Sequence, residues 1–164
     1  MEQPSQRLID HGLVLPPVAT PVGSYVQAKV HNRLIFVTGQ LAFINGEISV
    51  PGLLGAQVSA DHGATAARVC ALNSIAAAAS TVGGIDRIAG VLQVTGFLAC
   101  TQGFTGHSLV LNGASDVFVE IFGEGGRHTR TNVGVGSLPL GSPIELQVTF
   151  EMIGEMSCVL PHRM

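Results

Sequence analysis

Alternation of hydrophobic and polar positions predicts strands near both ends of this 164-residue chain. Residues 25–30 alternate with period two, and after the polar residues 31–33 the run 34–37 (Leu-Ile-Phe-Val) is apolar at every position. This pattern is typical of a β-hairpin whose second strand is central in a sheet. Residues 131–136 and 143–154 are predicted as the late strands, and the buried face of the last one is predicted at Leu146, Val148, Phe150 and Met152.

Helical periodicity separates these strands. Apolar and small residues recur at helical spacing from Ser59 or Asp61, either of which can cap a helix, to about Val82, which a pair of glycines follows. Residues 106–122 repeat the pattern, and the segment 85–99 between the two helices is predicted as a strand. The order ββαβαββ predicts an α+β fold, with a mixed sheet and two helices packed on one face.

Proline and glycine mark the remaining segments. Prolines at positions 4, 16, 17 and 21 predict an irregular N-terminal arm over residues 1–20, and an insert over residues 44–57 is rich in turn signals. Residues 21–154 are then expected to form one α+β domain, and residues 155–164 a C-terminal tail. A chain of this length suits one domain with a full core.

Charged residues make up 12% of the chain, about half the usual share for a globular protein. Because the predicted helices leave one face of the sheet uncovered, this shortage favours an oligomer in which neighbouring subunits bury that face. An Ala- and Gly-rich monomer is the alternative. A net charge of −3 without a basic run argues against nucleic acid as a partner.

Several other kinds of site are disfavoured. The N-terminal residues show no basic-plus-apolar signal segment, and no run of about 18 residues is free of polar side chains, so we expect a cytoplasmic protein without a membrane partner. Cys70, Cys100 and Cys158 are widely spaced, and the six histidines form no HxxH or HxH pair. We therefore expect neither a disulfide framework nor a metal site.

Arg130 and Glu145, which lie on either side of Leu138 and Pro139, are the most informative pair. A planar guanidinium forms a bidentate, charge-assisted pair with a carboxylate, which lysine cannot do, and a glutamate can accept and return a proton. The pair suggests a site that holds an anion and moves a proton. In the plainer interpretations, Arg130 neutralises a buried carboxylate or the end of the second helix, and Glu145 discourages strand-edge aggregation.

The register of the last two strands bears on this pair. A turn over residues 137–142 that pairs these strands directly would place Gly134 opposite Glu145. Arg130 and Glu145 would then share a face of the sheet, on the order of 13 Å apart along the strands. Because one small substrate is not expected to span that distance, the glutamate is expected to come from a neighbouring subunit.

Several segments together resemble the reactive intermediate deaminase family, also called Rid or YjgF-like and often labelled endoribonuclease L-PSP. They are residues 23–27 (Gly-Ser-Tyr-Val-Gln), 37–40 (Val-Thr-Gly-Gln), Asn112, Phe122, and the series Arg130, Leu138, Pro139, Ile144 and Glu145. The resemblance covers roughly residues 20–154 and implies a chorismate-mutase-like fold, a homotrimer and ligand clefts between adjacent subunits. The better-known members hydrolyse reactive enamines and 2-imino acids to 2-keto acids and ammonia.

The resemblance also implies roles for single residues. Arg130 matches the family arginine that grips the substrate carboxylate, and Glu145 matches the glutamate that positions or activates water. Tyr25 and Gly39 match positions that line the cleft, and Thr38 stands where a serine is common. Arg130 and Glu145 are thus the catalytic candidates, and the other three are candidates for substrate binding.

The stretches 112–116 (Asn-Gly-Ala-Ser-Asp) and 122–126 (Phe-Gly-Glu-Gly-Gly) resemble a divergent branch of the family, and two positions depart from the family pattern. Asn132, a further candidate for substrate binding, stands where many members have a cysteine, and Gly134 replaces a frequent acidic residue. The expected function is a small-molecule deaminase, a hydrolase of 2-imino or enamine acids that needs no metal or cofactor because the imine is already activated. The alternative is a non-catalytic carboxylate-binding or regulatory trimer. An endoribonuclease is disfavoured by the acidic balance and by the lack of a histidine pair for phosphodiester cleavage.

Overall fold

The computed structural model describes residues 2–21 and 23–154, so the predicted C-terminal tail lies outside the described part. Helices and strands follow the chain in the order α1 (Pro4–Asp10), β1 (Ala28–His31), β2 (Leu34–Leu41), β3 (Phe43–Ile44), β4 (Glu47–Ile48), α2 (Ala60–Val82), β5 (Ile88–Ala99), α3 (His107–Phe122), β6 (Thr129–Val135) and β7 (Ile144–Met152). Short 3-10 turns occupy Ile85–Arg87, Gly123–Gly126 and Pro139–Gly141. Among the described helices, none combines the length and the apolar character that crossing a membrane requires.

Five strands form one mixed sheet in the order β1-β2-β7-β5-β6, and β3 and β4 form a separate small hairpin. β5 and β6 are parallel, while the other neighbouring strands of the large sheet are antiparallel. α3 connects β5 to β6, because a parallel pair needs a crossover connection, here a helix. The predicted α+β fold with a mixed sheet is confirmed.

The predicted direct pairing of the last two strands is wrong. β5 lies between β6 and β7, so Gly134 lies beside Leu98, whereas Glu145 lies beside Phe97 on the other edge of β5. The crossover through α3 is the physical reason, since it returns the chain to one edge of β5 as a parallel partner. β7 then pairs with the opposite edge of β5, and the turn before β7 carries the chain across.

Both long helices begin and end close to their predicted bounds. α2 starts after Ser59, whose hydroxyl accepts a hydrogen bond from the His62 amide at 3.2 Å, and ends at Gly83, whose φ of 85° is left-handed. Small residues let the helices approach closely, because a Cβ at Gly113 would overlap the carbonyl oxygen of Ala64. The largest fully buried side chains include Ile35, Ile75, Phe118, Leu146, Phe150 and Met152. Burial of each contributes about 1.5–3 kcal/mol.

The prediction of an irregular N-terminal arm is wrong where the structure has α1. Pro4 occupies the first helical position, where its missing N–H costs no intrahelical bond and its fixed φ favours the helix. Arg7 Nε donates to the carbonyl oxygen of Glu120, and the Ser5 amide donates to Asp86 Oδ1, each at 2.8 Å. These bonds join α1 to α3 and to the turn before β5.

α2 and α3 lie on one face of the sheet, as predicted. Alternate residues of β7 are buried beneath them, which confirms the predicted inward face at Leu146, Val148, Phe150 and Met152. On the opposite face Phe36 and Val133 keep 46% and 41% of their surface exposed. Within residues 2–21 and 23–154 the sheet therefore has one helix-covered face and one face, called the uncovered face, on which no helix packs.

Candidate functional site

Arg130 is held by polar groups of α3. It lies on β6 beside Val94, which is fully buried, so its side chain is on the helix-covered face. Nη1 donates to Asn112 Oδ1 and to Ser115 Oγ, both at 3.0 Å, and Nη2 donates to the Ser108 carbonyl oxygen at 3.4 Å. All three acceptors are neutral, so they orient the guanidinium without cancelling its charge.

Arg130 has no ion-pair partner within residues 2–21 and 23–154, whereas four other arginines there each lie 2.7–3.3 Å from a carboxylate oxygen. These paired arginines are Arg7, Arg33, Arg68 and Arg127. The described residues thus do not support the interpretation of Arg130 as a counter-ion. Nor does it contact the C-terminal end of α3, since its partners lie in the first nine residues of that helix. A half-buried guanidinium with neutral partners is suited to an external anion.

His128 and Ser115 form a hydrogen-bonded pair next to Arg130. His128 Nδ1 lies 2.6 Å from the carbonyl oxygen of Gly126, which can only accept, so Nδ1 carries the proton. His128 Nε2 then accepts from Ser115 Oγ at 3.0 Å. Burial lowers the pKa of His128 below its ordinary value and the Arg130 charge adds to this, while the bond to Gly126 opposes them. The structure therefore favours a neutral imidazole whose Nε2 is a hydrogen-bond acceptor.

An open depression of about 240 Å³ joins these groups, and its lining consists of Ser115, Val119, Arg127, His128 and Arg130. This volume is at the small end for a ligand site and suits a molecule of a few heavy atoms. A second depression of about 250 Å³ includes Leu53, Gln57 and Leu138 in its lining, which contains no charged side chain. The chemistry therefore favours the depression at Arg130.

Asn132 also lies on the helix-covered face. Its Nδ2 donates to Ser108 Oγ at 3.1 Å, which ties β6 to the first turn of α3. The partners of the two β6 side chains on α3 are Ser108, Asn112 and Ser115, at i, i+4 and i+7. This spacing places them on one face of the helix. This polar stripe follows the same helical periodicity as the apolar face of α3, so the spacing of these three residues along the sequence was a signal for it.

Glu145 lies on the opposite, uncovered face of the sheet. It is paired with Leu41 on one side and Phe97 on the other, and a Cβ at Gly39 would overlap its carboxylate. Gly39 therefore leaves the space that the carboxylate occupies, and the roles of both residues in a ligand cleft stay predictions. Burial raises the pKa of the half-buried Glu145 above its ordinary value.

The prediction that Arg130 and Glu145 share a face of the sheet is wrong. Paired neighbours in a sheet point to the same side, and Arg130 is paired with buried Val94, whereas Glu145 is paired with partly exposed Phe97. Val94 and Phe97 are three positions apart on β5, so they point to opposite faces. One small molecule cannot contact both Arg130 and Glu145 within a single chain.

The other two predicted residues lie near the start of the large sheet. Tyr25 is in a bend before β1 and is 47% exposed, so the predicted start of the first strand at residue 25 is wrong. Thr38 lies in β2, and its amide donates to the carbonyl oxygen of Gln27 at 3.0 Å. The roles of Tyr25 and Thr38 in lining a cleft stay predictions.

Comparisons with known proteins agree with this fold. A family model described as "YjgF/chorismate mutase-like, putative endoribonuclease" matches residues 5–152. Protein TCP17 of Trypanosoma cruzi is 36% identical over 142 residues, which cover 86% of this chain and 89% of the relative. A crystal structure from Shewanella oneidensis MR-1 with the same endoribonuclease description has 33% identity and a TM-score of 0.88 over 92% of this chain and 100% of that one.

A more distant structure extends the likeness of the fold. RidA from an Antarctic Psychrobacter is 24% identical and covers 82% of this chain and 94% of its own, with a TM-score of 0.56. The family match begins within α1, so the N-terminal segment belongs to the matched region and not to an added arm. The resemblance predicted from the sequence is confirmed: this chain belongs to the YjgF/chorismate mutase-like family.

Proposed function

We propose that this protein is a small-molecule deaminase that hydrolyses 2-imino or enamine acids to 2-keto acids and ammonia. One observation carries the proposal. Arg130 is fixed by three neutral acceptors and has no ion-pair partner among the described residues, and it borders an open depression of about 240 Å³. A cation prepared in this way suits a small carboxylate.

The chemistry of a 2-imino acid fits such a cation. Its carboxylate is adjacent to an electrophilic C=N carbon, so binding the carboxylate fixes which face of the imine meets water. The hydrogen bonds between a guanidinium and a carboxylate contribute about 1.5–3 kcal/mol. The family resemblance supports the same substrate class, since its better-known members act on reactive imines and enamines.

A homotrimer is part of this proposal. The exposed Phe36 and Val133 on the uncovered face of the sheet, and the low share of charged residues, support burial of that face against other subunits. In a trimer the carboxylate of Glu145 reaches the Arg130 site only from a neighbouring chain. Gly39, which makes space for Glu145, would then line the same cleft.

A second function is favoured by the separation of Arg130 and Glu145 on opposite faces of one chain. If the oligomer does not bring these residues together, the guanidinium can bind a carboxylate without the glutamate acting on it. The protein would then be a binding or regulatory module for small 2-keto acids. Calorimetric binding of pyruvate without turnover of the corresponding imine would support this second function.

The test is release of pyruvate from freshly generated 2-iminopropionate, compared with the rate in buffer alone. We expect the protein to accelerate release and Arg130→Ala to abolish the acceleration while the oligomer stays intact by light scattering. Arg33→Ala is the matched control, because Arg33 is exposed and paired with Glu151 at 2.9 Å. A wild-type protein that leaves the buffer rate unchanged would exclude this deaminase activity. A parallel incubation with RNA tests for endoribonuclease activity, and we expect the RNA to stay intact.

A further inference from the structure

The proposed hydrolysis needs a group that moves protons beside the bound imine. Glu145 of the same chain cannot supply it, because it lies on the opposite face of the sheet from Arg130. Besides Arg127, which is paired with Glu124, two polar side chains border the depression at Arg130, namely Ser115 and His128. They are bonded to each other, and Ser115 also bonds to Arg130.

Three hydrogen bonds fix the direction in which protons can move. Arg130 Nη1 donates to Ser115 Oγ at 3.0 Å, so this oxygen accepts one bond from the guanidinium. Its single hydroxyl hydrogen points to His128 Nε2, also at 3.0 Å. His128 Nδ1 donates to the carbonyl oxygen of Gly126 at 2.6 Å, which holds the ring in the tautomer that leaves Nε2 free to accept.

We infer that Ser115 and His128 form the proton-transfer pair of the Arg130 site. This inference rests on the proposed deaminase function and adds to it the groups that move the protons. Ser115 Oγ lies close to the guanidinium, so an acid held by Arg130 brings its imine carbon and the attacking water near this hydroxyl. A proton from that water can pass to Ser115 Oγ while the hydroxyl proton passes to His128 Nε2.

The surroundings of His128 favour the neutral imidazole, which can accept a proton. Burial is the main cause of its lowered pKa, and the Arg130 charge on β6 acts in the same direction. Arg127 on the preceding turn also borders the depression, but it is paired with Glu124 at 3.0 Å. From α3, the neutral Ser115 contacts the His128 imidazole. Both effects, burial and the Arg130 charge, favour the unprotonated imidazole, which is the form that a general base requires.

The proton transfers balance without a metal or an added reagent. Water oxygen bonds to the imine carbon, the C=N π electrons move to nitrogen, and the water proton reaches His128 through Ser115 and then passes to that nitrogen. In the second transfer the carbinolamine hydroxyl proton follows the same path to nitrogen, the C=O bond forms, and the C–N bond breaks. The products are a 2-keto acid and ammonia, and both side chains return to their initial state.

A purely structural role for His128 has different consequences. The ring packs edge-on against Phe118, with centroids 5.5 Å apart, and its Nδ1 anchors the turn at Gly126. If these contacts were its whole role, replacing it would lower stability but would leave the pH dependence of the remaining activity unchanged. The pH profile and rescue by free imidazole therefore separate the two roles.

The experiment measures the rate of imine hydrolysis for wild type, Ser115→Ala, Ser115→Thr, His128→Gln and His128→Ala. We expect Ser115→Ala and His128→Gln to lower kcat by about 10²- to 10⁴-fold, while KM changes far less because Arg130 keeps its bonds to Asn112 and to the Ser108 carbonyl. Ser115→Thr keeps a hydroxyl and is expected to keep most of the rate. Added imidazole is expected to restore part of the rate of His128→Ala. His31→Gln, at an exposed strand end, is the matched control.

The pH profile gives the sharpest readout. Wild-type kcat/KM is expected to fall as acid protonates His128, and this limb should be absent in His128→Gln. A wild-type rate that His128→Gln retains within about threefold, with the same pH profile, overturns the proton-transfer role and leaves the deaminase standing. A wild-type protein without any rate overturns the deaminase, and the proton-transfer role with it.

Discussion

On the helix-covered face of β6, Arg130 is surrounded by hydroxyl, amide and carbonyl groups of α3, whereas on the uncovered face of β7 Glu145 lies against Gly39 and beside Phe97. The first group receives oriented partners from the helix that packs on the sheet. Glu145, by contrast, lies beside its strand neighbours and has no salt-bridge partner in the part of the chain that the structure describes. This difference indicates that a single chain orients the cation by itself, whereas the carboxylate stays partly exposed on the uncovered face.

Partial burial acts on both faces, with opposite effects on the pKa. It lowers the pKa of His128 beside Arg130 and raises that of Glu145, because in each case it disfavours the charged form. Arg130 reinforces the effect on His128, while burial alone accounts for that on Glu145. The helix-covered face thus combines a fixed cation with a neutral base, and the uncovered face presents a carboxyl that holds its proton more tightly than usual.

The largest expected effect on ligand binding is the loss of carboxylate affinity in Arg130→Lys. A lysine cannot reproduce the bidentate pair, so a loss of about 1.5–3 kcal/mol should weaken pyruvate binding roughly 10- to 150-fold. Glu145→Gln should leave the same affinity within about twofold if one chain builds the binding site alone. Isothermal titration calorimetry with pyruvate measures both.

The pyruvate affinity of Glu145→Gln shows whether Glu145 contributes to binding at Arg130. A large change in its pyruvate affinity, at unchanged oligomeric state, would show that a neighbouring chain brings the glutamate to Arg130. Unchanged affinity in Arg130→Lys would contradict the assignment of the guanidinium as the carboxylate-binding group. Arg33→Lys is the control for the charge-conserving change, since Arg33 is exposed, lies in the turn between β1 and β2, and does not line the depression.

The next effect concerns the space that Gly39 leaves for Glu145. A Cβ at Gly39 would overlap the end of the Glu145 side chain, so Gly39→Ala should force the carboxylate to turn away. Because that side chain is flexible, we expect a cost near 1 kcal/mol, at the low end of the overpacking range. For a chain of this size, this lowers the melting temperature by about 2–4 °C.

Gly136→Ala is the matched control, because a Cβ there meets no atom within 4 Å and its φ is not in the left-handed region. Its stability should stay within about 0.5 kcal/mol of wild type. The double variant Gly39→Ala, Glu145→Ala should cost less than the sum of the two single changes, since removing the glutamate removes the overlap. Strict additivity in the denaturation midpoints would contradict the predicted contact.

Local signals in the sequence sufficed for most of the fold. The cap at Ser59, the left-handed Gly83 and the alternation of β7 depend on neighbours within a few residues, so periodicity and capping rules locate them. The four prolines of residues 1–21 suggest an irregular segment because proline breaks a helix interior. Pro4, however, occupies the first helical position of α1, where proline is favoured. The helices and strands predicted from the sequence were right where interactions between residues close in the chain decide the structure.

The two faces of the site could not be predicted, because they depend on which strands become neighbours. A turn between β6 and β7 suggests a hairpin, but the crossover through α3 places β6 on the far edge of β5. That change moves Arg130 to the face opposite Glu145. Ser115 and His128 come together only through this crossover, so spacing along the chain gave no reason to pair them.

The stability contributions of Glu145 and His128 should depend on pH in opposite directions. The folded-state pKa of Glu145 lies above its ordinary 4.5, so its stabilising contribution is present at lower pH and is lost as pH rises through the folded pKa. The folded-state pKa of His128 lies below its ordinary 6.5, so its contribution is present above 6.5 and is lost as pH falls toward the folded value.

Denaturant unfolding of wild type, Glu145→Gln and His128→Gln across pH 4–8 measures both contributions. The stability of Glu145→Gln relative to wild type should increase as pH rises from about 4.5, and that of His128→Gln should increase as pH falls below about 6.5. Both groups are partly exposed, so the differences should be modest. Curves that run parallel to wild type at all pH values would contradict the assigned burial effects.

The smallest expected effect is that of replacing Asn132, which lies two residues from Arg130 on β6. Asn132 donates to Ser108 Oγ at 3.1 Å at an exposed position, so Asn132→Ala should change stability by no more than about 0.5 kcal/mol and pyruvate affinity by less than about threefold. Ser108→Ala removes the same bond from its other end, while the Ser108 carbonyl that accepts from Arg130 remains. Equal small losses in the two variants fit a role in joining β6 to α3. A loss in Asn132→Ala as large as that in Arg130→Lys, with Ser108→Ala unchanged, would instead show that the amide contacts the bound acid itself.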